Sequence, residues 1–523
     1  MFFRAAPTVR ASGLALLAMA GGAWLAAAPA PVASSQAPRA VARAYEEPLR
    51  PRIHFTPPRN FMNDPNGLVH YKGEYHLFYQ YNPQGTTWGH MSWGHAVSAD
   101  LLHWQHLPVA LTEQDGVMVF SGSAVVDRDN SSGLCRPHGE DRSCLVAIYT
   151  GHGHGRQTQN LAVSQDRGRT WTRYAGNPVI DPGLKEFRDP KVFWHAATRR
   201  WVMVTVLADQ HKVRFFGSPD LKTWTTLSDF GPAGATGGVW ECPDLMEVPI
   251  ENAPGQSRWV LDVDINPGAP HGGSGGQYFV GTFDGTRFVP DGPTDTPRWV
   301  DHGKDFYASM SFADLPAGVP GPVWMGWTSN WQYANEEPTE TWRGAQSLPR
   351  RLRLRRTPDG LRLVQQPAGG LSSLFEKDGA RHQVLAQRAV LPEAADITFV
   401  VGRGDAGEIG LRLYNEAGEE VRIAVSADRR ELSIDRRYSR AGTTPTGYAE
   451  RHVGPLRATG QVPVRVLIDR SVLEVFANEG ETVMTERMYP TRPYTHIEWI
   501  DGRRPVSAST RLMALRSIWA PRG

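Results

Sequence analysis

Asn63-Asp64-Pro65-Asn66-Gly67 is the first of several polar motifs that return about sixty residues apart. Phe120-Ser121-Gly122-Ser123, Arg188-Asp189-Pro190, Glu241-Cys242-Pro243 and Asp305-Phe306-Tyr307 follow in that order. Asp64, Asp189 and Glu241 are the carboxylates that stand out. A polar residue that recurs once per structural unit implies repeats arranged radially around a shared centre. Such a fold would bring carboxylates far apart in sequence into one pocket. Cleavage of a glycosidic bond needs a pair of that kind, one to supply a proton and one to stabilise or attack the sugar.

The elements that must position these residues read as short strands. From Ile53 to about Val364, apolar and aromatic runs alternate with turn residues. Residues 68–71, Lys72-Gly73 and residues 74–81 form a hairpin with aromatics concentrated on its second strand. Ser98-Ala-Asp100-Leu-Leu-His-Trp104 echoes Ser218-Pro-Asp220-Leu-Lys-Thr-Trp224, and Ser164-Gln-Asp166-Arg-Gly-Arg-Thr-Trp171 repeats the device with one added residue. In each, Ser and Asp can close a tight turn while Trp packs beneath it, a folding role without chemistry. About 310 residues at roughly sixty per unit predict a five-bladed β-propeller over residues 48–364, with the acidic motifs on or beside the innermost strands. Composition shifts near Gln365-Gln366-Pro367 and Gly369-Gly370. The period-two strands that follow, such as Val464-Arg-Val466-Leu-Ile468, predict a β-sandwich over 370–523. The expected fold class is all-β.

Bulk composition agrees with this reading. The 523 residues include 53 Gly, 40 Pro and 17 Trp, a turn-rich and aromatic-rich mixture. A net charge of +2 gives no sign of a nucleic-acid partner, and the basic run from Arg351 to Arg356 lacks interleaved aromatics, so it reads as a solvated strand face. Arg4 and Arg10, an apolar run over 14–28 and then small residues form a secretory signal pattern. Residues 1–44 are thus expected to be signal peptide and leader, with cleavage after Ala33, Ala40 or Ala44. A secreted, extracellular protein without stable membrane association after cleavage is expected, and a monomer. Cys135 and Cys144 flank a polar loop and could pair in an oxidising compartment, leaving Cys242 as part of the surroundings of Glu241. No metal is expected: His152-Gly-His154 and the His103/His106 pair lack further ligands at zinc spacing. Gly272-Gly-Ser-Gly-Gly276 lacks the context of a phosphate cradle and reads as a flexible loop.

The motifs together resemble glycoside hydrolase family 32, the β-fructofuranosidases. His54-Phe55, the Asn63–Gly67 block, Phe78-Tyr79-Gln80-Tyr81-Asn82-Pro83, Phe120–Ser123, Phe187-Arg188-Asp189-Pro190-Lys191 and Trp240-Glu241-Cys242-Pro243-Asp244 stand in the family's order. Phe61 departs from it, since many members have Trp there. The resemblance implies that Asp64 is the nucleophile, Glu241 the general acid/base and Asp189 a transition-state stabiliser. It implies a carboxyl separation of about 5–5.5 Å, as retention requires. Asn63, Gln80, Ser121 and Arg188 match positions that bind the terminal sugar. Trp88 and Trp327 are expected to wall the furanose, and Asp305 and Tyr307 are candidates for subsite residues. No cofactor is needed. The implied substrates are levan, inulin or sucrose, cut by an exo-acting hydrolase; a fructosyltransferase or an endo-acting fructanase would share the same carboxylates.

Overall fold

Alternating apolar residues, broken every few positions by Gly, Pro or an Asx turn, fold into strands almost throughout. The computed structural model describes residues 45–376, 382–383, 387–402, 407–426, 428–457, 460–503 and 510–519; the expected leader, 1–44, lies outside them. Their only helices are short 3-10 turns, and none is long and apolar enough to cross a membrane.

Five antiparallel sheets of four strands each come first. Their opening strands are Asn60–Tyr71, Met118–Asp127, Phe187–His195, Val239–Pro249 and Tyr307–Ser311. Each opening strand packs beside the next, and the fifth packs beside the first, so the ring closes. A fifth strand, Trp342–Arg343, adds parallel to Asn60–Tyr71 on the inner edge of the first sheet. A separate apolar cluster fills each gap between neighbouring sheets. Phe78, Trp93, Val126 and Ala147 lie between the first and second, and Val204, Phe215, Leu261 and Phe279 between the third and fourth. Each fully buried side chain of this kind contributes roughly 1.5–3 kcal/mol over an exposed one. These contacts fix the angles between blades.

The three repeated Ser-Asp-Trp segments sit where expected, each joining the third and fourth strands of a blade. Asp100, Asp166 and Asp220 each accept from a following backbone N–H, at 2.9 Å from His103, 2.9 Å from Thr170 and 2.7 Å from Thr223. Leu101, Arg167 and Leu221 take positive φ at the same point of each turn, with φ of 68°, 59° and 63°. The Cys135–Cys144 disulfide closes the loop that leads into the second strand of blade two. The Gly272–Gly276 run is not a loose loop over its full length. It turns at Gly272 and Gly273 and enters the strand Gly275–Phe283.

Two six-stranded antiparallel sheets follow, packed face to face around Ile397, Phe399, Leu411, Ile423, Val466, Val475 and Trp499. The contact between sandwich and propeller is polar as well as apolar. Asp469 accepts from the backbone N–H groups of Arg52, Ile53 and His54 at 2.6, 2.8 and 3.1 Å. Glu474 accepts from Arg350 Nε at 3.0 Å and the Leu348 N–H at 2.8 Å. Arg350, first residue of the strand carrying the basic run, is thus fully buried, whereas Arg351 and Arg353 are half-exposed. Asp305 also belongs to this contact. It is fully buried, paired with Arg436 Nη1 at 2.5 Å and accepting from the Arg487 N–H at 2.7 Å. It lies just ahead of the innermost strand of blade five and faces the sandwich, so it is no subsite residue.

Candidate active site

The recurring motifs fall on the opening strand of every blade, and at each one the ladder is broken in the same way. Register shifts place Asn63-Asp64, Phe120-Ser121, Asp189-Pro190, Cys242-Pro243 and Ala308-Ser309 as two residues opposite one. A bulge bends its strand and re-aims a side chain that regular pleating would send elsewhere. Asp189, Cys242 and Ala308 take φ of 61°, 44° and 54°, a region costly for residues with a Cβ. Local bonds hold them there. The Asp189 N–H donates to Thr150 Oγ1 at 3.0 Å, and the Cys242 N–H donates to Asp189 Oδ2 at 3.0 Å. Gly122 is required by close approach, because a Cβ there would meet the Ile148 carbonyl at 2.1 Å.

The five bulges surround a cavity of about 350 Å³ lined by Asp64, Asp189, Glu241, Arg188, Tyr307 and Trp88, among others. Asp64 is held by neutral donors: Ser121 Oγ at 2.6 Å to Oδ2 and Asn63 Nδ2 at 2.9 Å to Oδ1. The Cys242 thiol lies 3.5 Å from Asp64 Oδ2 and 3.7 Å from Asp189 Oδ2. Glu241 is more open, its side chain 21% exposed, and takes Arg188 Nε at 3.2 Å on Oε1 and the Tyr307 hydroxyl at 2.5 Å on Oε2. Arg188 also approaches Asp189 Oδ2 at 3.8 Å and pairs with Glu186. One guanidinium therefore links two of the three carboxylates.

Burial dominates the electrostatics. It pushes Asp64 above the usual carboxylate range against the pull of Ser121, with Glu241 adding to the rise and Asn63 and the Cys242 thiol opposing it. It pushes Asp189 up to about 7, opposed by Arg188 and assisted by Glu241 and Asp64. Burial alone would lower Arg188, but Glu241, Asp189 and Glu186 more than offset it and keep the guanidinium charged.

Asn63, Gln80, Trp88, Ser121 and Arg188 all line the cavity with the three carboxylates. Trp327 does not. It is fully buried behind the wall, tilted against Trp331 with ring centroids 4.8 Å apart, and Trp331 lines the cavity in its place. The reason is its position at the end of the strand Val323–Trp327, where it pairs with Tyr307 and turns toward Phe61. Phe120, Asn266, Trp331 and Asn335 were not foreseen from the sequence. Phe120 shares a motif with Ser121, but only the bulge seen in the structure brings both to the cavity. Trp331 and Asn335 come from the excursion between the strands Val323–Trp327 and Arg350–Thr357, which carries no motif and reaches the site only through folding.

The model for the N-terminal domain of glycosyl hydrolases family 32 matches residues 54–367, and that for the C-terminal domain of the family matches residues 371–512. A levanase of Bacillus subtilis is 45% identical over 491 residues, covering 91% of this chain and 72% of that protein. The crystal structure of exo-inulinase from Aspergillus awamori superposes with a TM-score of 0.84 at 36% identity, covering 91% of this chain and all of that one. That of β-fructofuranosidase from Schwanniomyces occidentalis complexed with fructosyl-erythritol gives 0.83 at 33% identity, covering 90% of this chain and 99% of that one. With two family models spanning most of its length and the motif carboxylates gathered in one cavity, the chain belongs to glycosyl hydrolase family 32.

Proposed function

We propose that the protein is a secreted exo-acting β-fructosidase that removes terminal β-D-fructofuranosyl units from levan, inulin or sucrose with retention. One observation carries the reading: Asp64, Asp189 and Glu241, from three different blades, converge in a single cavity with Arg188 between two of them. The levanase and exo-inulinase relatives supply the substrate class, and extracellular relatives such as the exo-inulinase of Aspergillus awamori support secretion. In this reading residues 1–44 are signal and leader, 48–364 the catalytic propeller and 370–523 the accessory sandwich.

The division of roles follows from the surroundings of each carboxyl. Asp64 is deep and fixed by two neutral donors, as a nucleophile must be to meet one carbon. Its Oδ attacks C2 of the fructosyl unit as the bond from C2 to the leaving oxygen breaks. Glu241, nearer solvent, gives its proton to that oxygen. In the second half, water loses a proton to Glu241 and bonds to C2, and the ester to Asp64 breaks. Both carboxyls return to their starting states. Asp189, clamped by Arg188 and the Cys242 N–H, faces the sugar hydroxyls and steadies the charge that develops on the ring. Trp88 and Trp331 offer apolar walls.

The test is a time course of purified protein with levan, inulin and sucrose, the products resolved by chromatography. Fructose as the sole early product from a polymer supports the reading. Early oligosaccharides would mean endo cleavage, and longer products from concentrated sucrose would mean transfer. Asp64→Ala is expected to abolish turnover.

A further inference from the structure

Behind the cavity the propeller buries acids that the mechanism does not use. Asp262 and Asp264 stand two residues apart on the strand Ser257–Asn266 and face its neighbour Val239–Pro249. Asp262 is the register partner of Asp244, and Asp264 is the register partner of Glu241 itself. All three aspartates are fully buried. Asp244 is compensated by Lys191 Nζ at 3.2 Å and the Ser311 N–H at 2.6 Å, and Asp262 accepts from Ser309 Oγ. Among the described residues no cation pairs with Asp264. Neither of its oxygens makes a hydrogen bond of normal geometry among the described residues, and the Ala308 N–H exerts only a partial pull toward the charged form.

The space for this carboxyl is specific. On its other flank Asp264 pairs with Gly276, where a Cβ would stand 2.5 Å from Asp264 Oδ1. The glycine run singled out in the sequence thus makes room for a buried acid. Among the described residues, the titratable groups that act most strongly on Asp264 include Glu241 and Cys242 from the strand Val239–Pro249, Asp262 from its own strand, Tyr307 from the fifth blade and Asp64 from the first. None of these is a cation. A carboxylate buried among acids without a counter-ion costs far more than a protonated acid. Burial, then Asp262, Asp64 and Glu241, hold Asp264 well above the usual carboxylate range.

We propose that Asp264 is a positioning residue for proton transfer at Glu241, and that it acts as a neutral acid. It lies across the strand pair from Glu241 and beside the Ala308 bulge. The residue preceding that bulge is Tyr307, whose hydroxyl meets Glu241 Oε2 at 2.5 Å. Its uncharged carboxyl fills this space without placing a further negative charge beside the acid/base. This rests on the reading of Glu241 as the proton donor.

The test uses full-length Asp264→Asn and Asp264→Ala, with pH profiles of kcat/KM on sucrose and on an aryl β-fructofuranoside with a good leaving group. Asn is neutral and nearly isosteric, so its alkaline limb is expected to coincide with that of the wild type. Asp264→Ala is expected to lose roughly tenfold in kcat on sucrose and much less on the aryl substrate, which needs little protonation of its leaving group. If Asp264 were ionised, removing its charge would favour loss of the Glu241 proton and move the limb of Asp264→Asn down by a unit or more, overturning neutrality. Equal losses on both substrates, or none, would overturn the positioning role. Should Asp264→Ala fail to fold, the limb and the leaving-group ratio of Asp264→Asn still decide, a ratio changed from the wild type by no more than the error supporting neutrality. Glu241→Gln is the separate control: retained sucrose hydrolysis would remove the underlying reading, whereas loss there with unaltered Asp264 variants would remove only this inference.

Discussion

The Tyr307 hydroxyl donates to Glu241 Oε2 at 2.5 Å, joining the innermost strands of the fourth and fifth blades at the proposed acid/base. A hydrogen bond to a charged acceptor is worth about 1.5–3 kcal/mol. Tyr307→Phe is therefore expected to lower kcat/KM on sucrose by about 10- to 100-fold, with kcat carrying most of the loss. Steady-state kinetics checks this, and an unchanged kcat would show that the contact has no part in the reaction.

Cys242 should be inert in the folded protein. Burial pushes its thiol well above the ordinary value, and Asp64 and Asp189 add to the rise. Since Cys135 and Cys144 are joined, one thiol per chain is expected to react with a disulfide reagent, and only after unfolding. Rapid labelling of the native protein would show the thiol to be accessible and ionised.

His54 makes the contact between propeller and sandwich depend on pH. Its Nδ1 lies 2.9 Å from Asp469 and its Nε2 2.9 Å from Glu474. Burial alone would lower its pKa, but the two carboxylates raise it above 6.5. The folded state therefore holds this proton more tightly than the unfolded chain. The resulting stability is fully present below pH 6.5 and is lost as pH rises through the folded value. Glu474 has the opposite sign. Burial raises it, but Arg350 and His54 bring it down to about 2, so its contribution is present above 4.5 and lost as pH falls toward 2. His54→Ala is expected to cost about 3 kcal/mol, as for a broken buried pair, with a larger fall in Tm at pH 6 than at pH 9. Thermal unfolding at both values checks the sign.

The sequence by itself determined the repeat and most of the polar residues that line the cavity. Asp64, Ser121, Asp189, Glu241 and Tyr307 were legible because a propeller puts one inner strand in every unit, and the spacing of polar motifs counts the units. The Ser-Asp-Trp turns were legible for a local reason, since their hydrogen bonds close within a few residues. Tertiary structure decided what depends on direction. A bulge turns a side chain by adding one residue to one strand, which no periodicity reveals, so only folding shows which members of each motif face the axis. Trp327 and Trp331 differ by four positions in one segment, yet one is core and the other wall. Asp305 and Tyr307 are two residues apart, and one meets the sandwich while the other meets Glu241. Asp264 became visible only when strand pairing set it opposite Glu241, because the burial that keeps a carboxyl uncharged belongs to the packed fold and not to the residue.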